Sequence, residues 1–280
     1  MMDILQQWQS RSLEPLSQLP LGAACTNDVT FVAYWFWNDE RFETLRYSIF
    51  VSILMTRLYC GNIKGVLVVN KTDLTLENFC KKYNVDIIID HSLIGGVKQL
   101  NIDYVRNLHK RFGTQYCLII QDDGFPIRPW LNRFIGKYDY IGAPWEIDKD
   151  DWITKIILRH RNRVGNGGFS LRSHEICEKA SWYLNRKYKI IPYCYIMLDD
   201  YFVCRLLPAY ERGYRERMKF APVDDAARFS VEKDFVEYKT YGSDTFGFHG
   251  ISAFERLIRE NKISIPETSD LQDRNRKQAV

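Results

Sequence analysis

The chain of 280 residues is 46% hydrophobic and 26% charged, enough apolar material for one large core or for a domain with short appendages. A formal charge of +4 is mild for this length and does not mark a nucleic-acid binder. Tyr47–Thr56 is the longest notable uncharged apolar stretch, far short of a bilayer span. Met1–Trp8 has an acid and no basic residue ahead of its apolar positions, unlike a secretory signal.

A soluble, cytoplasmic protein without a transmembrane segment is therefore expected. Residues 1–27 are mixed in character and contain Pro15 and Pro20, which predicts an irregular lead-in. Val29–Trp37 is rich in aromatic and β-branched residues and reads as a strand buried on both faces, ending at Asn38 and Asp39. Helical spacing follows over 40–59 through Leu45, Ile49, Ile53 and Leu54, then a strand at 65–69, a helix over 75–83 and a strand at 85–89. A helix over 102–112 leads into an apolar strand that starts at Tyr116 and runs onto Gln121-Asp-Asp-Gly124. Strands alternating with helices predict a parallel α/β sheet, whose ligands bind at the carboxyl ends of the strands. The second half is less regular, with a helix over 174–188 and a polar tail after Ile265.

Two segments stand out chemically. On a strand, side chains two apart share a face, so Gln121 and Asp123 would point one way and Asp122 the other, with Asp123 the first choice for a metal ligand. Asp-Gly is equally a turn signal. Arg163-Val-Gly-Asn-Gly-Gly-Phe-Ser-Leu-Arg-Ser173 sets Gly165, Gly167 and Gly168 around Asn166, where backbone must approach a ligand or another strand closely, or form a bulge. No Lys-Ser or Lys-Thr follows, so it is not a phosphate-binding P-loop, and the spacing is not the dinucleotide fingerprint. The basic run Lys155–Arg163 reads as a solvated face, with contact to a pyrophosphate or an anionic acceptor as the alternative. Seven cysteines without a C-x-x-C pair predict reduced thiols.

An acidic strand end, a glycine-rich loop, the paired acids Asp199 and Asp200, and a late histidine in Phe246-Gly-Phe-His-Gly250 occur in the order found in nucleotide-sugar glycosyltransferases of the GT-A type, which the sequence resembles. More narrowly, Gln121-x-Asp-Gly-Phe125, Tyr138-Asp-Tyr-Ile-Gly-Ala-Pro-Trp145 and Val164-Gly-Asn-Gly-Gly-Phe-Ser-Leu-Arg172 look like a poorly characterised group of glycosyltransferase-like proteins of bacteria and large viruses. The match spans roughly residues 30 to 255 of the chain.

The resemblance implies a GT-A like single domain over 28–258, with a Rossmann-like, mostly parallel central sheet flanked by helices. Its nucleotide-binding half would cover 28–125 and its acceptor and catalytic half 126–258, with 259–280 a tail. It implies a nucleotide-sugar donor, UDP-linked with xylose, galactose or glucose open, and a glycan acceptor such as an oligosaccharide or glycoprotein glycan. Mn²⁺ or Mg²⁺ would neutralise charge on the departing diphosphate, held by Asp123 and His249. Gln121 stands where the family's first acid usually is, and an amide is the weaker ligand.

Asp200 is the candidate general base for an inverting displacement, with Asp199 second and acids at a helix start as the bland alternative. Asn166 and its glycines would shape the sugar pocket, and Trp145 would stack on a sugar or sit in the core. Asn38 and Asp39 would lie near the nucleotide base, and Asp122 would join the donor side if the strand has already turned. A sugar nucleotidyltransferase would be expected to carry a glycine-rich basic loop after the first strand, where this chain has Trp35-Phe-Trp-Asn-Asp-Glu-Arg41. A non-catalytic carbohydrate or nucleotide binder is the other class.

Overall fold

The computed structural model describes residues 3–36, 43, 45–93, 96–145, 163–188, 198–232 and 244–263. The first element is helix α1, Ile4–Ser17, in the segment expected to be irregular. Asp3 and Gln6 form a reciprocal capping box, the Asp3 side chain accepting from Gln6 N at 2.8 Å and Gln6 Oε1 accepting from Asp3 N at 3.2 Å. Leu5, Trp8, Ser12 and Leu16 then recur every three or four residues on the buried face. Pro15 falls in the last turn, where a missing N–H costs the helix little of its length.

Strands β1 (Val29–Trp35), β2 (Lys64–Val69), β3 (Val85–Ile89) and β4 (Tyr116–Ile120) follow, connected by helices α2 (Arg46–Cys60), α3 (Leu74–Lys82), α4 (Val97–Arg106) and α5 (Leu108–Arg111). The helix expected over 102–112 thus starts earlier and breaks at Asn107. β1 pairs in parallel with β2 on one side and β4 on the other, and β2 pairs in parallel with β3. β1 alternates between two cores. Phe31, Ala33 and Trp35 pack with Ile49 and Ile53 of α2, while Val32 and Tyr34 pack with Tyr104 and Leu108. A strand covered on both faces shows no polar alternation, and the buried hydroxyl of Thr30 in β1 is satisfied by that of Thr114 at 2.8 Å.

The later half of the chain completes the same sheet. β6 (Tyr140–Gly142) and β7 (Ser170–Ser173) extend it to the order β3-β2-β1-β4-β7-β6, with β7 antiparallel to both neighbours. Helix α6 (His174–Arg186) follows, capped by the Ser173 side chain. The second sheet is small. β5 (Gly124–Pro126) and β8 (Ser230–Val231) flank β9 (Gly247–His249), which α7 (Val223–Phe229) precedes and α8 (Ile251–Arg259) follows. The structure is therefore mixed α/β with a mostly parallel central sheet between helices, as expected. The six cysteines among the described residues are free thiols. No described helix is long and apolar enough to cross a membrane.

Candidate active site

The order of the strands sets where a ligand can sit. β1 lies between β2 and β4, so connections leave it in opposite directions and open a crevice at the carboxyl ends. β4 stops at Ile120, and Gln121–Gly124 is a tight reversal closed by two backbone hydrogen bonds. Gln121 N donates to Gly124 O at 2.9 Å and Gly124 N to Gln121 O at 3.1 Å. The turn signal of Asp-Gly and the strand-end reading therefore describe one feature.

The reversal starts β5, and β5 pairs with β9 in the register that sets Gly124 opposite His249. That pairing carries the late histidine to the acidic turn. His249 Nε2 lies 3.1 Å from Gln121 Oε1 and 3.4 Å from Asp123 Oδ1, while Nδ1 faces Glu232 Oε1 at 3.6 Å. Tyr104 fixes the amide of Gln121, whose Nε2 donates to the phenolic oxygen at 3.4 Å, leaving Oε1 for the histidine. Burial pushes the imidazole toward neutrality, but the charge of Asp123, helped by Glu232, overrides it and raises the pKa to about 10. Burial likewise pushes Asp123 up, and His249 pulls it below the ordinary carboxylate range.

The glycine-rich loop forms the facing wall. Gly165 N and Asn166 N both donate to Ala143 O, and Asn166 Oδ1 accepts from Gly168 N at 2.9 Å, curling the loop on itself. At Gly168 the backbone approaches so closely that a Cβ would fall 2.0 Å from His249 Nε2. Behind the loop is Arg172, 1% exposed. Its Nε donates to Ser170 Oγ, its Nη2 donates to Gly167 O, and its Nη1 pairs with Asp199 Oδ2 at 2.7 Å. The guanidinium also lies against the rings of Tyr104 and Tyr140.

The two candidate acids thereby part company. Asp199 is 4% exposed, lines the site cavity and is bound to Arg172. Asp200 lines the same cavity without that ion pair, its Oδ2 accepting from Gly167 N at 3.1 Å and its Oδ1 from Tyr201 N at 2.8 Å. Burial and the neighbouring charge of Asp199 raise its pKa to about 8.

A cavity of about 610 Å³ joins these groups, lined among others by Gln121, Asp123, Asn166, Asp200 and His249. That is the size of a small-molecule site. Asp122 also lines it, although its carbonyl points away into the body of the protein. Trp145 forms part of the wall and is clamped. Arg205 lies over its ring at 4.3 Å, Tyr201 packs at 5.1 Å, and a Cβ on Gly165 would fall 2.2 Å from the ring.

Asn38 and Asp39 lie outside the described residues, as do residues 155–162 of the basic run. Sequence reasoning missed Tyr104, Arg172 and Glu232 as site residues. Arg172 had a signal, since it shares a strand face with Ser170 directly after the glycines. Glu232 had none.

Among the described residues no group of three or more His, Cys, Asp and Glu is disposed to hold a metal. Gln121 in place of an acid explains part of this. Neighbouring ligands about 2.1 Å from an octahedral ion stand about 3 Å apart. Nε2 of His249 has Gln121 Oε1 at 3.1 Å and Asp123 Oδ1 at 3.4 Å, and Glu232 faces the other ring nitrogen at 3.6 Å; the imidazolium would have to give up a proton before Nε2 could serve as a ligand.

Fold and cavity together define an α/β protein with a carboxylate-lined ligand site at the carboxyl ends of its parallel strands. The chain belongs to the family described as proteins of unknown function, DUF5672, whose model matches residues 90–249 and so includes Asp123, the glycine-rich loop, Asp200 and His249. No curated protein matches the chain.

Similar solved structures include the galactosyltransferase LgtC in complex with donor and acceptor sugar analogues, at 10% identity over 79% of this chain and 86% of that one, with a TM-score of 0.47. A glycosyltransferase involved in glycosylation of the major capsid of PBCV-1 is 14% identical over 84% of this chain and 99% of that one, with a TM-score of 0.41. A Bacillus anthracis protein assigned as a glucose-1-phosphate thymidylyltransferase is 9% identical over 69% and 85%, with a TM-score of 0.40. At such distance the roles of individual residues have to be read from the site itself.

Proposed function

We propose that the protein is a glycosyltransferase that moves one sugar from a nucleoside diphosphate donor, UDP-linked, to a hydroxyl of a glycan acceptor. The observation that carries this reading is that one cavity holds both a cation-compatible edge, Asp123 with His249 and Gln121, and a separate base with an elevated pKa, Asp200. An inverting, metal-assisted transfer uses both, one to take charge from the leaving diphosphate and one to take the acceptor proton. Mn²⁺ or Mg²⁺ bound at Asp123, His249 and Gln121 would neutralise that leaving-group charge.

The chain's own residues do the rest. Asp200, held by the backbone N–H groups of Gly167 and Tyr201, removes the proton from the acceptor hydroxyl, and its raised pKa makes it a stronger base than an ordinary carboxylate. Direct attack by that hydroxyl inverts the anomeric centre. Arg172 keeps Asp199 and Gly167 in place, so the loop and the base move as one unit. Bare backbone at Gly168 lets the loop meet His249, and bare backbone at Gly167 lets it meet the Arg172–Asp199 pair.

Calorimetry with UDP and Mn²⁺ tests the binding half of this proposal, and heat-free mixing with UDP and with other nucleotides would count against it. A donor-hydrolysis screen across UDP-xylose, UDP-galactose and UDP-glucose tests the chemistry. A non-catalytic binder would give heat and no turnover in that screen. A nucleotidyltransferase would instead make the nucleotide sugar from a sugar phosphate. Retention of the donor's anomeric configuration in the product would sink the inverting assignment.

A further inference from the structure

The helix that sequence reading did not anticipate touches the site. Gln9 of α1 is 1% exposed, and its Nε2 donates to Asp122 O at 2.5 Å and to Ser48 O at 3.5 Å. Ser52 of α2 reaches the same Asp122 carbonyl at 3.4 Å. The adjacent Trp8 lies parallel to Phe125, the second residue of β5, with ring centroids 6.1 Å apart, and edge-on to Phe254 of α8 at 5.4 Å. Phe125 in turn packs on Phe248, the residue before His249. Two consecutive side chains of α1 therefore grip the acidic turn on both sides of Asp123. Asp3, Leu5, Gln6 and Gln9 itself line the cavity.

A two-residue reversal between short strands has few contacts of its own. Asp123 O accepts from Gly250 N, and Gln121 and Gly124 bond each other. Those bonds tie the turn to itself and to β9. The Asp122 carbonyl ties it to α1 and α2, accepting from the buried amide of Gln9 and from the Ser52 hydroxyl.

We propose that α1 is a brace for the acidic turn, with Gln9 a positioning residue that holds Asp123 opposite His249 through the carbonyl of Asp122. The proposal rests on reading that pair as the edge of the donor site, but the brace itself can be measured without ligand. Gln9→Met keeps length and apolar packing and removes the donor. Leu184→Ala, at a buried position of α6 in the other core, lowers stability without altering α1 or the turn.

Amide hydrogen exchange on the free protein should show Gln121, Gly124 and Gly250 exchanging about tenfold faster in Gln9→Met, the loss of one hydrogen bond. In Leu184→Ala these amides should keep the parent's ratio to the core strands. Donor binding by calorimetry with UDP and Mn²⁺ should weaken about tenfold in Gln9→Met with little change in melting temperature. Exchange in Gln9→Met within about twofold of the parent, or an equal change in Leu184→Ala, would overturn the brace. A parent protein that binds no nucleotide would overturn the donor-site reading while leaving the exchange result to decide the brace.

Discussion

Gly168→Ala adds one methyl at the tightest point of the site. The new Cβ would lie 2.0 Å from His249 Nε2, 2.3 Å from Cδ2 and 2.5 Å from Cε1, whereas ordinary contact begins at 3.4 Å, so ring or loop must give by about 1.4 Å. Neither can yield without loss. His249 is fixed through β9 to Gly124 and by its contacts with Gln121, Asp123 and Glu232. Gly168 N is held by Asn166 Oδ1, and Gly167 by Arg172 and Asp200. Overpacking of this kind costs about 1–3 kcal/mol. A reacting group displaced by about 1 Å loses on the order of 100-fold in rate. Nucleotide affinity in the presence of Mn²⁺ should fall about tenfold, or about 1.4 kcal/mol, and sugar transfer should fall further. Gly113→Ala, where a Cβ meets nothing within 4 Å, is the matched control and should behave as the parent does. The comparison is made by calorimetry for binding, by donor turnover for activity and by thermal melts for stability. Unchanged affinity and turnover in a folded Gly168→Ala protein would refute the claim that the glycine exists to let backbone meet His249.

Asp200→Asn should abolish transfer while donor binding persists, as measured by turnover and calorimetry on the same sample. Its stability should carry a matching signature. The carboxyl's pKa of about 8 in the fold is above its ordinary 3.8, so its contribution to stability is complete at acid pH and drains away as pH rises from about 4 to about 8. The melting temperature of Asp200→Asn relative to the parent should therefore climb across that window and level off above it, and a constant difference would contradict the assigned shift. In the parent, kcat/KM should rise about tenfold per pH unit below 8 and flatten above, since only ionised Asp200 can accept a proton; a flat profile from pH 6 to 9 would remove it as the base. Asp199→Ala leaves Arg172 buried without its carboxylate and should destabilise the fold by about 3–5 kcal/mol in urea titration. A loss of activity with full stability would instead place Asp199 in the chemistry.

Local pattern carried much of the architecture. Val29–Trp35, apart from Thr30, and Tyr116–Ile120 are apolar because both faces of each strand are covered, and that requirement is written in consecutive residues. The acidic reversal at Gln121–Gly124 and the crowding of glycine around Asn166 were also legible, since turn chemistry and close backbone approach each act over a few positions. The helix Ile4–Ser17 was readable in principle from Asp3, Gln6 and the spacing of Leu5, Trp8 and Leu16, but two prolines weighed against it.

What tertiary structure alone decided is who meets whom. Gln121 and His249 are 128 positions apart, and Gln9 and Asp122 are 113 apart. The pairing of β5 with β9, and the packing of α1 under the turn, close those distances. No short-range rule encodes either pairing. The same holds for the division of labour between Asp199 and Asp200, neighbours in sequence and alike in chemistry. Both line the cavity, and only the buried guanidinium of Arg172 beside the first, with the raised pKa of the second, makes Asp200 the candidate base.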